Sequence, residues 1–285
     1  MIKRILLTHL AILVLALPAL AQDLKLPAVS QKSSISQTVG LTDITIVYHR
    51  PGVKGRQIWG DLVPYDKVWR TGANEATTIE FSTDVTIGGQ KVPAGKYSLH
   101  TIPGKTEWTI IFNKVAEQWG SYEYDASKDA LRIKAVPAAG PHQEWLTFSF
   151  PDIQQNSAVI EIAWEKVRVP FKVEMDTNTL AMANIKSAME AMSNWTIPYG
   201  AAEYVFRAKT DKAQAMEWID RSIALKETYW NLRLKADMLA ADEKTAEAIA
   251  VAEKAVRIGK ENKDEPGEVA KTEKQIADWK AAAKK

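Results

Sequence analysis

The densest run of chemically capable side chains is Trp69-Arg70-Thr71-Gly72-Ala73-Asn74-Glu75. Arg70 carries a rigid planar fork of N–H donors that Glu75 or another carboxylate can accept at two points. Gly72 and Asn74 tolerate left-handed backbone, so the run reads as a tight, ordered loop between a turn at Pro64-Tyr65 and a strand at Thr77. A second basic cluster, His49-Arg50-Pro51 with Lys54-Gly55-Arg56, leads into another loop. Where the two loops meet at one end of a sandwich, Arg50, Arg56 and Arg70 form a basic rim around Asn74 and Glu75. Arg50, Arg56, Trp69, Arg70, Asn74 and Glu75 are thus the candidate ligand-binding residues, suited to an anionic group or a sugar. The competing reading pairs Arg70 with Glu75 to pin the loop and makes Trp69 a core plug. Structural ion pairs of this kind are the commoner case.

Signatures of catalysis are missing. The chain has no Gly-x-Ser-x-Gly elbow, no Ser-x-x-Lys and no cysteine nucleophile. It also lacks His-Glu-x-x-His, a phosphate-binding glycine loop and an acidic calcium loop. No catalytic residue, metal ligand or cofactor is therefore assigned. His49, His100 and His142 are far apart, and His49 and His100 suit outward-facing polar positions in strands. Glu75, Glu80, Asp125 and Asp129 are available as acids, but no spacing pairs two of them across a cleft. Tryptophan is the other excess: Trp59, Trp69, Trp108, Trp119, Trp145 and Trp164 fall between residues 59 and 164. Trp108 and Trp164 lie within strand patterns, where core packing is the default. The stretch Trp119 to Asp125 offers a stacking platform for sugar, with Tyr122 and Tyr124 on one face if it is extended.

The elements that must position these residues come in two kinds. From about Ser33 to Met175 the period is that of strands. Ile44, Ile46 and Tyr48 alternate with Asp43, Thr45 and Val47, and Thr77–Phe81 and Thr147–Phe150 alternate likewise. Val85–Ile87 and Tyr97–Leu99 are separated by Gly88-Gly89 and Pro93-Ala94-Gly95. Further strand candidates are Glu107–Asn113, Ala130–Val136, Ala158–Trp164 and Val167–Val173. Short runs at this spacing predict an antiparallel β-sandwich, jelly-roll-like, with no intervening helices to build a parallel sheet.

After Thr177 the period becomes helical, beginning with Leu180, Ile185, Met189 and Met192. Ala215, Ile219, Ser222, Ile223 and Leu225 map onto Ala248, Ala252, Ala255, Val256 and Ile258 at a constant offset of 33. That period, with small residues where helices cross, is similar to a tetratricopeptide pattern. Glu203 departs from it at a small-residue site, and no proline closes either unit. The expected organisation is a leader at 1–21, a linker at 22–32, a β domain at 33–176, a helical-hairpin repeat domain at 177–260 and a charged tail at 261–285. Pro266-Gly267 breaks that tail, Val269, Ile276 and Trp279 could dock one last helix, and Lys284-Lys285 is expected to be disordered.

Residues 1–21 have the form of a cleavable secretory signal. Met1-Ile2-Lys3-Arg4 is basic, Ile5–Leu17 is apolar, and Ala19-Leu20-Ala21 supplies the small residues read before Gln22. The apolar run is short for a membrane span. Without cysteine there is no lipid attachment, so the expectation is a periplasmic or secreted protein with no membrane anchor after cleavage. Loss of Lys3 and Arg4 leaves 35 basic residues against 35 acidic, which argues against a nucleic-acid partner.

Several linked segments carry a family resemblance. These are Tyr48-His49-Arg50-Pro51, Val53–Arg56, Leu62–Tyr65, Val68–Thr77, Pro93–Leu99, Thr101–Gly104 and Trp108–Lys114. Together they resemble the domain of unknown function 2911 family over roughly residues 30–175. The resemblance implies an exported β domain and no established activity. His100 and Asp66 depart from its usual pattern, and the helical region lies outside it.

The sequence thus predicts an uncharacterised exported protein, non-catalytic, whose sandwich binds a small polar ligand or glycan, or acts as a scaffold. Its helices would contact a protein partner. Two alternatives are a hydrolase acting on a polar or glycan substrate at the Arg50/Arg70/Glu75 end, and a chaperone-like peptide binder with an apolar groove around Tyr204, Trp218 and Trp230.

Overall fold

A computed structural model describes residues 26–191 and 194–283. The leader, Met192 and Lys284-Lys285 lie outside the described residues. The chain divides into two compact units. The first is the β unit, whose described residues form ten strands in two sheets. Six strands form one sheet in the order β1 (Gln31–Val39), β2 (Thr42–Arg50), β3 (Thr78–Phe81), β6 (Gly95–Ile102), β7 (Trp108–Asn113) and β8 (Asp129–Ala135). Four form the other in the order β5 (Gln90–Val92), β4 (Val85–Ile87), β10 (Ser157–Glu174) and β9 (Ala138–Gln154). Pairings from β2 through β3, β6 and β7 to β8 are antiparallel, with Ile46 opposite Ile79 and Leu99 opposite Phe112.

Alternation makes the sandwich. Ile44, Ile46 and Tyr48 of β2 are buried while Asp43 is exposed, because successive strand residues face opposite sides. Their inward row meets the second sheet, where Tyr48 and Phe148 lie edge to face at 4.7 Å and the Tyr48 hydroxyl accepts the Phe148 N–H. Four indoles close one end of the core. Trp59 stands edge-on to Trp69, Trp108 and Trp164, and Trp69 stacks on Trp164 at 5.8 Å.

Two details differ from the sequence reading. The strands expected at Ala158–Trp164 and Val167–Val173 are one strand, β10. Glu165 takes φ +52° inside it without ending the ladder, a local irregularity of the kind that bends long strands. Gln90–Val92 adds a short strand paired with β4 after the Gly88-Gly89 turn.

The described residues of the second unit form six helices: α1 (Thr177–Glu190), α2 (Thr196–Ala208), α3 (Lys212–Leu225), α4 (Tyr229–Ala241), α5 (Thr245–Asn262) and α6 (Pro266–Ala282). The internal repeat is visible in the element starts, since α2 and α4 begin at 196 and 229 and α3 and α5 at 212 and 245. Ala215, Ala248, Ala252 and Ala255 are fully buried where α2 packs on α3 and α4 on α5. Small side chains there let helix axes approach closely. Pro266 opens α6 at its first turn instead of breaking the tail, because proline lacks only an N–H that a first turn leaves unpaired. Val269 and Ile276 are buried against α4 and α5 residues, with Trp279 packed beside them.

Candidate functional site

The loop Trp69–Thr77 is held on both sides by main-chain bonds. Trp69 exchanges N–H···O bonds with Thr101 of β6, at 2.8 and 2.9 Å. On the other side Ala76 N–H donates to Gln118 O, and Gly120 N–H donates to Asn74 O. Two residues carry left-handed backbone, Thr71 at φ +55° and Asn74 at φ +56°. Gly72 does not, contrary to expectation. It is glycine for space, since a Cβ there would stand 3.1 Å from the His49 carbonyl and 3.0 Å from Thr77 Oγ1. Thr71 is β-branched and unfavourable at positive φ. Its hydroxyl and carbonyl are fixed by Thr101, Trp69 and Thr77 in a fully buried setting.

This loop separates residues that the sequence placed in one rim. Glu75 does not pair with Arg70. Its Oε2 lies 3.3 Å from Nδ1 of His49, the carboxylate side being 57% exposed and the imidazole 12%. Both line a cleft of about 520 Å³, with Lys32, Lys96, Glu117, Gln118 and Trp119. Trp119 is 61% exposed, and Lys96 pairs with Glu117 at 3.0 Å. Burial holds the His49 pKa below the usual histidine value; Glu75 opposes this, and Lys32 and Arg70 reinforce it. His49 is therefore neutral near pH 7, half-buried against a carboxylate rather than facing outward.

Arg56, Trp69 and Arg70 line a different hollow, of about 240 Å³. Arg56 donates to the carbonyls of Gly52 and Val53. The Trp69 ring is buried and its N–H donates to Gly72 O. Arg50 is committed elsewhere, donating to Leu146 O at 2.9 Å and Thr147 Oγ1 at 2.7 Å. Asn74 ties the loop to Ser30 O. Of the six candidates, Arg56, Trp69 and Arg70 share one cavity, Glu75 belongs to the cleft, and Arg50 and Asn74 are fastened to neighbouring backbone.

His100, expected from the sequence to face outward, is fully buried. Its Nδ1 lies 3.0 Å from Ser121 Oγ and its Nε2 3.1 Å from Ser98 Oγ, and Ser98 also accepts from Gln118 of the cleft. Burial pulls its pKa down to about 4. Tyr124 lies tilted beside it, ring centroids 5.1 Å apart, and donates to Asp129, which Asn113 and Arg132 also hold. Burial and this bond push the Tyr124 hydroxyl to about 12. The Trp119–Asp125 stretch is turned, not extended, so Tyr122, 83% exposed, and half-buried Tyr124 do not share a face.

Sequence reasoning named His49, Glu75 and Trp119 separately but not as one cleft, and it missed Lys32, Lys96, Glu117 and Gln118. The aromatic run around Trp119 was the available signal. No group of three or more histidine and acidic side chains gathers as a metal site among the described residues.

No curated protein and no solved structure matches the chain. One family profile does, over residues 30–173, just over half of the chain and the whole of the loop and cleft described above. The chain belongs to the family described as protein of unknown function (DUF2911).

Proposed function

We propose that this is an exported, non-catalytic binding protein whose β unit takes a small polar ligand, a glycan first of all, in the His49–Glu75 cleft. One observation carries the reading: an exposed indole, Trp119, borders a cleft of about 520 Å³ that also offers donors and acceptors of both signs. A sugar presents a C–H face to an aromatic ring and hydroxyls to carboxylates, amides and amines. Sites of this size with a few converging polar groups are the usual ligand clefts. The form of residues 1–21 supports export, and among the described residues no helix is long and apolar enough to cross a membrane.

For the helical unit the role is partner contact through a polar surface. Tyr204, Trp218 and Trp230 pack partly buried against its own clusters. Among its described residues only Leu41 and Leu225 are exposed large apolar side chains, which disfavours an apolar peptide groove.

The test is a screen of soluble oligosaccharides against the protein, read from the indole N–H resonance of Trp119. Binding should be lost in Trp119→Ala while melting temperature is unchanged. Binding that survives Trp119→Ala, or perturbs other indoles only, removes this reading.

A hydrolase remains a second reading because the His49–Glu75 pair has the form of an oriented base in an open cleft. Among the described residues no hydroxyl side chain hydrogen-bonds His49, so His49 would have to activate water. Turnover of a bound oligosaccharide that vanishes in His49→Gln, with binding retained, would establish it.

A further inference from the structure

The hollow behind the Arg70 loop differs chemically from the cleft. Its side chains include three cations, Lys54, Arg56 and Arg70, and no carboxylate. Among the described residues none of the three has an ion-pair partner. Lys54 lies over the Trp145 ring at 5.8 Å, and Arg56 is satisfied by backbone carbonyls alone. Arg70 is the informative one. Its Nε is buried with no hydrogen-bond partner, and burial draws its pKa down, opposed only by the weaker pull of the Tyr122 phenol and by no carboxylate. An unpaired buried donor on a charged group costs about 1–3 kcal/mol or more. A protein that keeps one in a cavity wall leaves it for an acceptor from outside. Glu144 stands beside Gly52 and Lys54 at this edge. It is already engaged, accepting the Lys54 N–H at 2.8 Å and standing 3.4 Å from His142.

Much of the remaining wall is apolar. Trp69 and Trp164, stacked at an interplanar angle of 17°, line the hollow together with Leu62 and Val63. At about 240 Å³ the hollow is smaller than the clefts that enclose drug-sized molecules.

We propose that this hollow binds a small organic anion, a carboxylate or phosphate on a compact apolar body, with Arg70 supplying the fork and Trp69 and Trp164 the apolar wall. Arg56 and Lys54 add field rather than geometry. The site is separate from the glycan cleft and does not depend on it.

The test uses the mature chain and three probes of one shape: benzoate, phenyl phosphate and the neutral benzamide. Indole N–H resonances report the place. Benzoate or phenyl phosphate should shift Trp69 and Trp164 saturably at millimolar concentration, weaken as salt rises, and leave Trp119 unmoved. The stronger of the two names the anion. Arg70→Lys keeps the charge but loses the fork, and should weaken binding about tenfold. Lys54→Gln, an exposed position, should weaken it by a smaller factor and covers the case in which the Arg70 variant does not fold. Equal binding of benzamide, no response to either anion, a response at Trp119 alone, or wild-type affinity in Lys54→Gln and any folded Arg70→Lys would each overturn the proposal. Sugar binding at Trp119 stands or falls without affecting these readouts.

Discussion

Glu75 meets His49 at 3.3 Å and leaves Arg70, five residues back on the same loop, without a carboxylate. That single choice of partner turns one expected basic rim into two cavities, one lined by charges of both signs and one by cations without a carboxylate. The backbone explains it. Left-handed turns at Thr71 and Asn74 carry the chain around Gly72, so Arg70 and Glu75 fall into different cavities.

The partner choice predicts opposite effects on the His49 titration. Glu75 raises its pKa and Arg70 lowers it. Glu75→Gln should therefore move the His49 midpoint further down, and Arg70→Met should move it up, followed by imidazole NMR. A midpoint indifferent to both changes would mean the pair does not form.

His100 makes stability depend on pH. Its folded pKa, about 4, lies below the unfolded value of about 6.5. As pH falls from about 6.5 to about 4, the unfolded chain gains a proton that the folded one refuses. Stability should drop across that window by up to about 3 kcal/mol and then level off. Urea unfolding at several pH values should show this component missing in His100→Gln; an identical pH dependence in both proteins contradicts it.

Gly72→Ala should destabilise by about 1–3 kcal/mol, because the added carbon presses on the His49 carbonyl and Thr77 Oγ1. Gly55→Ala, at φ +69° with open space around it, should cost only about 1 kcal/mol from backbone strain. Equal costs would mean that the loop yields freely.

Tryptophan replacements should separate core from surface. Trp164→Ala, which removes a buried ring from the four-indole cluster, should cost about 3–5 kcal/mol. Trp119→Ala should stay within about 0.5 kcal/mol of the parent. Thermal unfolding of the two variants decides it.

Asn231 in α4 is fully buried and donates to Ser222 Oγ and the Lys226 carbonyl, while its own oxygen accepts the Thr228 N–H. Asn231→Leu strands those groups and should cost about 2 kcal/mol or more. Lys274→Ala, which breaks an exposed pair with Asp278, should change stability by less than about 1 kcal/mol. Chemical denaturation that ranks them the other way would remove the Asn231 hydrogen bonds as a stabilising feature.

Much of this was legible in the chain itself. Period-two alternation in Ile44–Tyr48 and Thr77–Phe81 required a sheet with one buried face, and the offset of 33 required two like helical hairpins. Both are local rules, written in neighbouring residues, so sequence determines them. The family segments were equally readable. What stayed hidden were partners distant along the chain: His49 with Glu75, His100 with Ser121, Lys96 with Glu117. Pairing of that kind depends on strand register and on two positive-φ turns in one loop, and a residue's type does not announce either. Composition set the inventory of charges and indoles; only the tertiary structure decided that Arg70 would keep a buried donor unpaired in a cavity wall, because burial and distance exist only once the sheets have closed.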